Sequence, residues 1–301
     1  MGAEISWWGG HGTCELPLST RPDAAPLVSD TSEQQLAQCD PRPIRHADQS
    51  CWLPWRNETG TVIRVTPAET AAAIVADRFP NAIAGFLGGS ATTYRRTSTS
   101  DLDIVVALTE GAEPFRETTT FDGWLVELFV HTEASFEYFW DLDAANRRPP
   151  LLRMCSEGIQ LLSVDGAAER IRREASRRLQ AGPRTLDEQE WAARRYALSD
   201  LLDDLCGSQH GPELVFIANA VLTATCEMAL LAAGGWLGTG KWLARELEQV
   251  DAGLLQQLVS AHTGAVAGDG TAMLALAGQV LDRVGGPLSA GYYAGGPLPK
   301  G

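Results

Sequence analysis

The spacing of apolar positions divides the chain into a segment of mixed periods and a segment that is helical almost throughout. Ordered patterning begins at Thr66. The run Thr66-Pro67-Ala68-Glu69 pairs a hydroxyl with an acid three residues on and puts proline at the first helical position. A helix is therefore predicted to run to Phe79, where Pro80-Asn81 ends it. Residues 82–87 read as a short apolar strand, cut by Gly88-Gly89. Residues 102–108 and 124–130 are two further strands, each apolar apart from one carboxylate. A helix from Thr132 to about Asp143, another after Pro149-Pro150 and a strand near 159–163 complete this part. Beyond it, Asp165 is expected to cap a helix reaching Gln180, stopped by Gly182-Pro183. The capping box Thr185-Leu186-Asp187-Glu188 opens a helix to Cys206, and further helices fit 212–233, 241–250, 252–265 and 270–284. Sheet plus helices followed by helices alone is an α+β domain joined to an all-α bundle.

Residues 1–60 keep neither period for long and are expected to form a poorly ordered extension. The predicted divisions are 1–60, a sheet-containing domain at 61–164, a helical bundle at 165–288 and a Gly/Pro-rich flexible tail at 289–301. The net charge of −14 is spread over all three main segments. None has the basic excess of a nucleic-acid groove, so nucleic acid is not an expected partner. Six cysteines show no CxxC pair and no zinc-ligand spacing with the five histidines; Cys206 and Cys226 are expected to pack inside helices. No apolar run is read as a membrane span and no secretory leader is read at the start, so the expected location is cytoplasmic.

Candidate chemistry concentrates between residues 88 and 127. Asp101 and Asp103 stand two apart at the start of a predicted strand, so both point to one face. Adjacent carboxylates repel unless a cation neutralises them, and hard oxygen ligands suit Mg²⁺. An Asp-x-Asp pair can also cap a turn and meet an arginine. Gly88-Gly89-Ser90 ends the preceding strand; its small residues let a phosphate approach the backbone, and a helix starting at Ser90 would aim N–H groups at it. Glu127 is the lone acid of an apolar strand. It is a third metal ligand, a general base, or a carboxylate on a solvated edge.

The order Gly89-Ser90, ten residues, Asp101-Leu102-Asp103, then an acid in a later strand resembles the signature of the DNA polymerase β-type nucleotidyltransferase superfamily. It is most similar to the small bacterial members, which include aminoglycoside and lincosamide nucleotidyltransferases and minimal antitoxin-type enzymes. The resemblance spans about 66–163; after Asp165 it is one of architecture only. It implies a small mixed β-sheet with flanking helices, with Gly88, Gly89 and Ser90 at the triphosphate of ATP or another nucleoside triphosphate. Asp101 and Asp103, with Glu127, would hold two Mg²⁺ ions. The reaction would transfer a nucleoside monophosphate to a hydroxylated small molecule with release of pyrophosphate. The bundle would bind the acceptor.

Other residues are secondary candidates. Arg95, beside Arg96, could reach the triphosphate or be solvated. Lys241, after Gly238-Thr239-Gly240, could meet phosphate as a point charge or be a surface lysine. Asp200, Asp203 and Asp204 could face a cationic acceptor, although solvated helix charge is the plainer reading. His131 could be a base or a surface histidine, and Trp236, Trp242, Tyr292 and Tyr293 could stack on a ligand or pack. Two other functions compete: nucleotidyl transfer to a protein, and nucleotide binding without catalysis.

Overall fold

The computed structural model describes residues 55–56, 62–63, 66–109, 111–208 and 211–295. The chain divides into two units, Met1–Arg64 and Val65–Gly301. The first contains an antiparallel pair of two-residue strands, β1 (Trp55–Arg56) and β2 (Val62–Ile63). Most of the predicted 1–60 extension lies outside the described residues.

The second unit opens with α1 (Pro67–Arg78), capped as its sequence dictates. The Thr66 hydroxyl accepts from the Glu69 N–H at 3.2 Å, and the Thr66 N–H donates to the Glu69 carboxylate at 2.7 Å. A five-stranded mixed sheet follows, in the order β5-β6-β4-β3-β7. Its members are β3 (Ala82–Gly88), β4 (Leu102–Leu108), β5 (Phe115–Phe121), β6 (Trp124–Thr132) and β7 (Ile159–Ser163). β4 and β6 are parallel, and the other pairs are antiparallel. Alternation gives the sheet two apolar faces. Leu102, Ile104, Val106, Val126, Leu128 and Val130 pack with Ala71, Ile74 and Val75 of α1. Phe86, Val105 and Phe129 are buried on the opposite face, beneath α2 (Glu133–Ala145), α3 (Pro150–Glu157) and α4 (Ala167–Ala181).

β5 is the strand that the sequence pattern does not announce. Its Phe-Arg-Glu-Thr-Thr-Thr-Phe run is mostly polar because it forms an edge with one face in water. The link to β6 is the two-residue turn Asp122-Gly123, with φ of 46° and 79°. This is the Asp-Gly hairpin chemistry whose twist matches the strands it joins.

The helical part contains α5 (Glu188–Gly207), α6 (Pro212–Ala232), α7 (Lys241–Val266) and α8 (Thr271–Asp282) around one apolar cluster. α7 is two helices joined at Asp251, whose φ of −153° and ψ of 81° are not helical. Asp251 Oδ1 accepts from the Leu254 N–H at 2.8 Å and restarts the helix there. Several local expectations are corrected. Asp165 does not cap α4; with Gly166 it forms a left-handed corner, at φ 50° and 72°. The box that opens α5 is Asp187 with Glu190, two residues later than read from the sequence. By length and composition α6 is apolar enough to cross a membrane, which the reading of apolar runs missed; its Ala218, Val221 and Leu230 lie within the bundle core. Cys206 is exposed rather than packed, while Cys226 is buried.

Candidate metal and phosphate site

Strand register assembles the acids. The parallel pairing of β4 with β6 sets Asp103 beside Glu127, and the antiparallel pairing of β3 with β4 sets Gly88 beside Asp103. Thr118 of β5 faces Glu127 from the other side. One rung across the sheet therefore reads Thr118, Glu127, Asp103, Gly88. Asp101 precedes β4 and shares the Asp103 face by alternation. One carboxylate oxygen from each of Asp101, Asp103 and Glu127 lies within 4.8 Å of the others, and all three side chains are half-buried.

The glycines are shaped by this cluster. Gly89 has φ of 71°, and a Cβ placed on it would overlap Asp103 Oδ2. A Cβ on Gly88 would overlap the Met154 side chain of α3. The turn must therefore be made of residues without side chains, which also lets an anionic ligand come close to the backbone. Ser90 is buried, and its hydroxyl shares a 2.9 Å hydrogen bond with that of Ser100, next to Asp101. The helix expected from Ser90 is only a single 3₁₀ turn, Ser90–Thr92. Its dipole is correspondingly small, and a phosphate there would depend on individual N–H groups and hydroxyls.

The electrostatics fit a cation. Burial pushes the Asp103 carboxyl up to about 7, the charges of Asp101 and Glu127 push the same way, and Lys241 and Arg116 pull it down. Three carboxylates with one oxygen each in mutual reach form the hard donor set that Mg²⁺ prefers. Lys241 is the exposed first residue of α7, and its charge acts on Asp103 across more than a hundred residues of sequence. Arg95 is engaged elsewhere, by the Glu248 carboxylate of α7 and the Tyr94 hydroxyl.

Other candidates settle differently. His131 is not a surface histidine. It is 2% exposed, packs on Phe136 and Phe139 with ring centres 5.0 and 4.9 Å away, and is pushed down to about 4 by burial. Asp200, Asp203 and Asp204 are exposed on α5. Trp236 is a core residue whose indole N–H donates to the Leu179 carbonyl at 2.9 Å, while Trp242 lies under Arg245 and Tyr292 stacks on Tyr196 at 4.3 Å. Tyr293 is exposed. Sequence reading missed Arg116, whose guanidinium donates to Glu127 at 2.8 Å. The Asp-Gly turn next to its strand was the signal that could have found it.

No protein-family model matches this sequence, and no curated protein matches it. Among solved structures, a nucleotidyltransferase-like protein from Exiguobacterium sibiricum 255-15, a crystal structure at 1.90 Å resolution, shows 14% sequence identity to this chain. The match covers 72% of this chain and 79% of that one with a TM-score of 0.33. A likeness that loose carries no weight for function, which has to be read from the geometry of the acids and the glycine turn.

Proposed function

We propose that this chain is a Mg²⁺-dependent nucleotidyltransferase, which moves a nucleoside monophosphate from ATP or another nucleoside triphosphate to a hydroxyl of a small acceptor. The observation that carries the reading is the convergence of Asp101, Asp103 and Glu127 beside a turn that tolerates no side chain at Gly89. Asp101 and Asp103 would hold the divalent ions, and Glu127 would complete the ligand set. Bound Mg²⁺ would supply Lewis-acid neutralisation of the charge that builds on the phosphate oxygens. Gly88, Gly89 and Ser90 offer close backbone approach and a hydroxyl to the triphosphate. Lys241 offers a mobile positive charge to the departing pyrophosphate. Arg95 would have to leave Glu248 to do the same. The acceptor oxygen bonds to the α-phosphorus as the α–β bridging P–O bond breaks; pyrophosphate takes that bond's electrons, and the acceptor hydroxyl's proton passes to solvent.

The acceptor is proposed as a small polyhydroxylated molecule, with cationic antibiotics of the aminoglycoside kind among the first to test. The acid excess along the whole chain supports this class over nucleic acid. The test is pyrophosphate release from each of the four nucleoside triphosphates against a panel of such acceptors. Release is expected to vanish in Asp101→Asn and Asp103→Asn; undiminished release in those variants removes the assignment.

A further inference from the structure

The third acid is held from behind. Arg116 lies on β5 two residues from Thr118, the residue that faces Glu127, so Arg116 sits diagonally opposite Glu127 on the same face of the sheet. An Arg116 guanidinium N–H donates to Glu127 Oε2 at 2.8 Å. The planar group lies over the Phe129 ring, 5.0 Å from its centre, and Phe129 is only 1% exposed, so its floor is fixed. The clasp also comes from a defined direction. Across the sheet, the glycine turn is on β3, the acids are beside or on β4 and β6, and the guanidinium is on β5, the side away from Ser90.

We infer that Arg116 is a positioning residue, which occupies one oxygen of Glu127 and presents the other to the cation shared with Asp101 and Asp103. This rests on the nucleotidyltransferase reading and deepens it: Glu127 is then a metal ligand, not the group that takes the acceptor's proton. A ligating carboxylate whose outer oxygen is hydrogen-bonded no longer loses rotamer freedom when the metal arrives, and removing such a partner typically costs about 10–100-fold in metal affinity. The positive charge of Arg116 works the other way, since it opposes a nearby cation. That repulsion is screened at an exposed edge strand, whereas the orientation is set by the direct bond. Orientation therefore wins.

The two effects predict opposite signs, which makes the inference testable without turnover. Mn²⁺ binding to the nucleotide-free protein is followed by the loss of the free-ion electron paramagnetic resonance signal. Arg116→Ala is expected to bind Mn²⁺ roughly 10-fold more weakly than the natural protein, and Arg116→Lys to recover part of the difference. Arg116→Met, which keeps an apolar stem over Phe129, repeats the test if alanine unsettles the hairpin. Unchanged or tighter binding in both uncharged variants overturns the inference and makes Arg116 a counter-charge that metal displaces. Asp103→Asn separates the layers. If it abolishes Mn²⁺ binding while Arg116→Ala does not weaken it, only the role of Arg116 falls. If the natural protein binds no Mn²⁺ at all, the metal reading falls and this inference with it.

Discussion

Asparagine at position 103 would separate what the carboxylate does for chemistry from what it costs the fold. In metal-free protein the Asp103 proton is held up to about 7, against an ordinary 3.8, chiefly because burial and two neighbouring carboxylates oppose the charge. The native state thus binds this proton more tightly than the unfolded chain. Native stability accordingly falls as pH rises from about 4 to about 7, and the whole cost is present above that window. The difference between 3.8 and about 7 corresponds to ~4 kcal/mol at about 1.36 kcal/mol for each tenfold change in proton affinity. Asp103 is half-buried and solvent screens part of the repulsion, so about 2 kcal/mol should survive as a stability difference. Asparagine keeps the shape and carries no charge. At about pH 8 in EDTA, Asp103→Asn should therefore melt roughly 4–8 °C above the natural protein, at ~2–4 °C per kcal/mol for a domain of this size. Added Mg²⁺ should raise the melting temperature of the natural protein by mass action and leave the variant unmoved. Differential scanning calorimetry reads both. A variant that melts at or below the natural protein in EDTA refutes the idea that these acids are held together against their repulsion.

Three further outcomes are expected from individual contacts. Gly89→Ala drives a methyl group into Asp103 Oδ2 at a left-handed φ, and should cut pyrophosphate release about 100-fold or more while circular dichroism stays native. Lys241→Ala should raise the KM for the nucleoside triphosphate or lower kcat by about 10-fold, with Arg recovering part of it, since only the charge near Asp103 is lost. Asp143 is 1% exposed, is pushed up to about 8 by burial, and accepts the Leu151 and Leu152 N–H groups at 3.0 Å each. Burial thus favours its neutral, protonated form. Urea titration should find Asp143→Asn close to the natural protein and Asp143→Ala weaker by about 1–3 kcal/mol, the cost of stranding buried donors.

The parts of the site that were legible in the sequence are those fixed by local rules. Alternation placed Asp101 and Asp103 on one face, and a single acid in an apolar strand marked Glu127 as needing a partner. Thr66 and Glu69 announced α1 because a capping box is complete within four residues. What stayed hidden depends on distant pairing. Nothing local says that β4 and β6 pair in parallel with Asp103 level with Glu127; that register joins residues far apart in sequence, in a layer packed against α1. β5 escaped because an edge strand with one wet face lacks the apolar run that marks an inner one. Arg116 was lost with it. The glycines before Lys241 point to a phosphate, but only tertiary contacts of α7, such as Glu246 with Arg153 of α3, bring its charge to bear on Asp103. His131 misled because a polar residue at a strand end is usually wet, whereas here α2 folds back over it.

If the proposed function holds, the pairing of β4 with β6 ties catalytic competence to residues on the face of the sheet packed against α1. A slip of one position would swing Asp103 or Glu127 to the opposite side of its strand, among the aliphatic side chains under α1. Ile104, Leu128 and their neighbours thereby act as an alignment key. Damage to that oily layer would surface first as a fault in phosphate chemistry, before the protein had lost enough cohesion to unfold. A survey of inactive variants should accordingly turn up lesions on both sides of the sheet, including the side packed against α1.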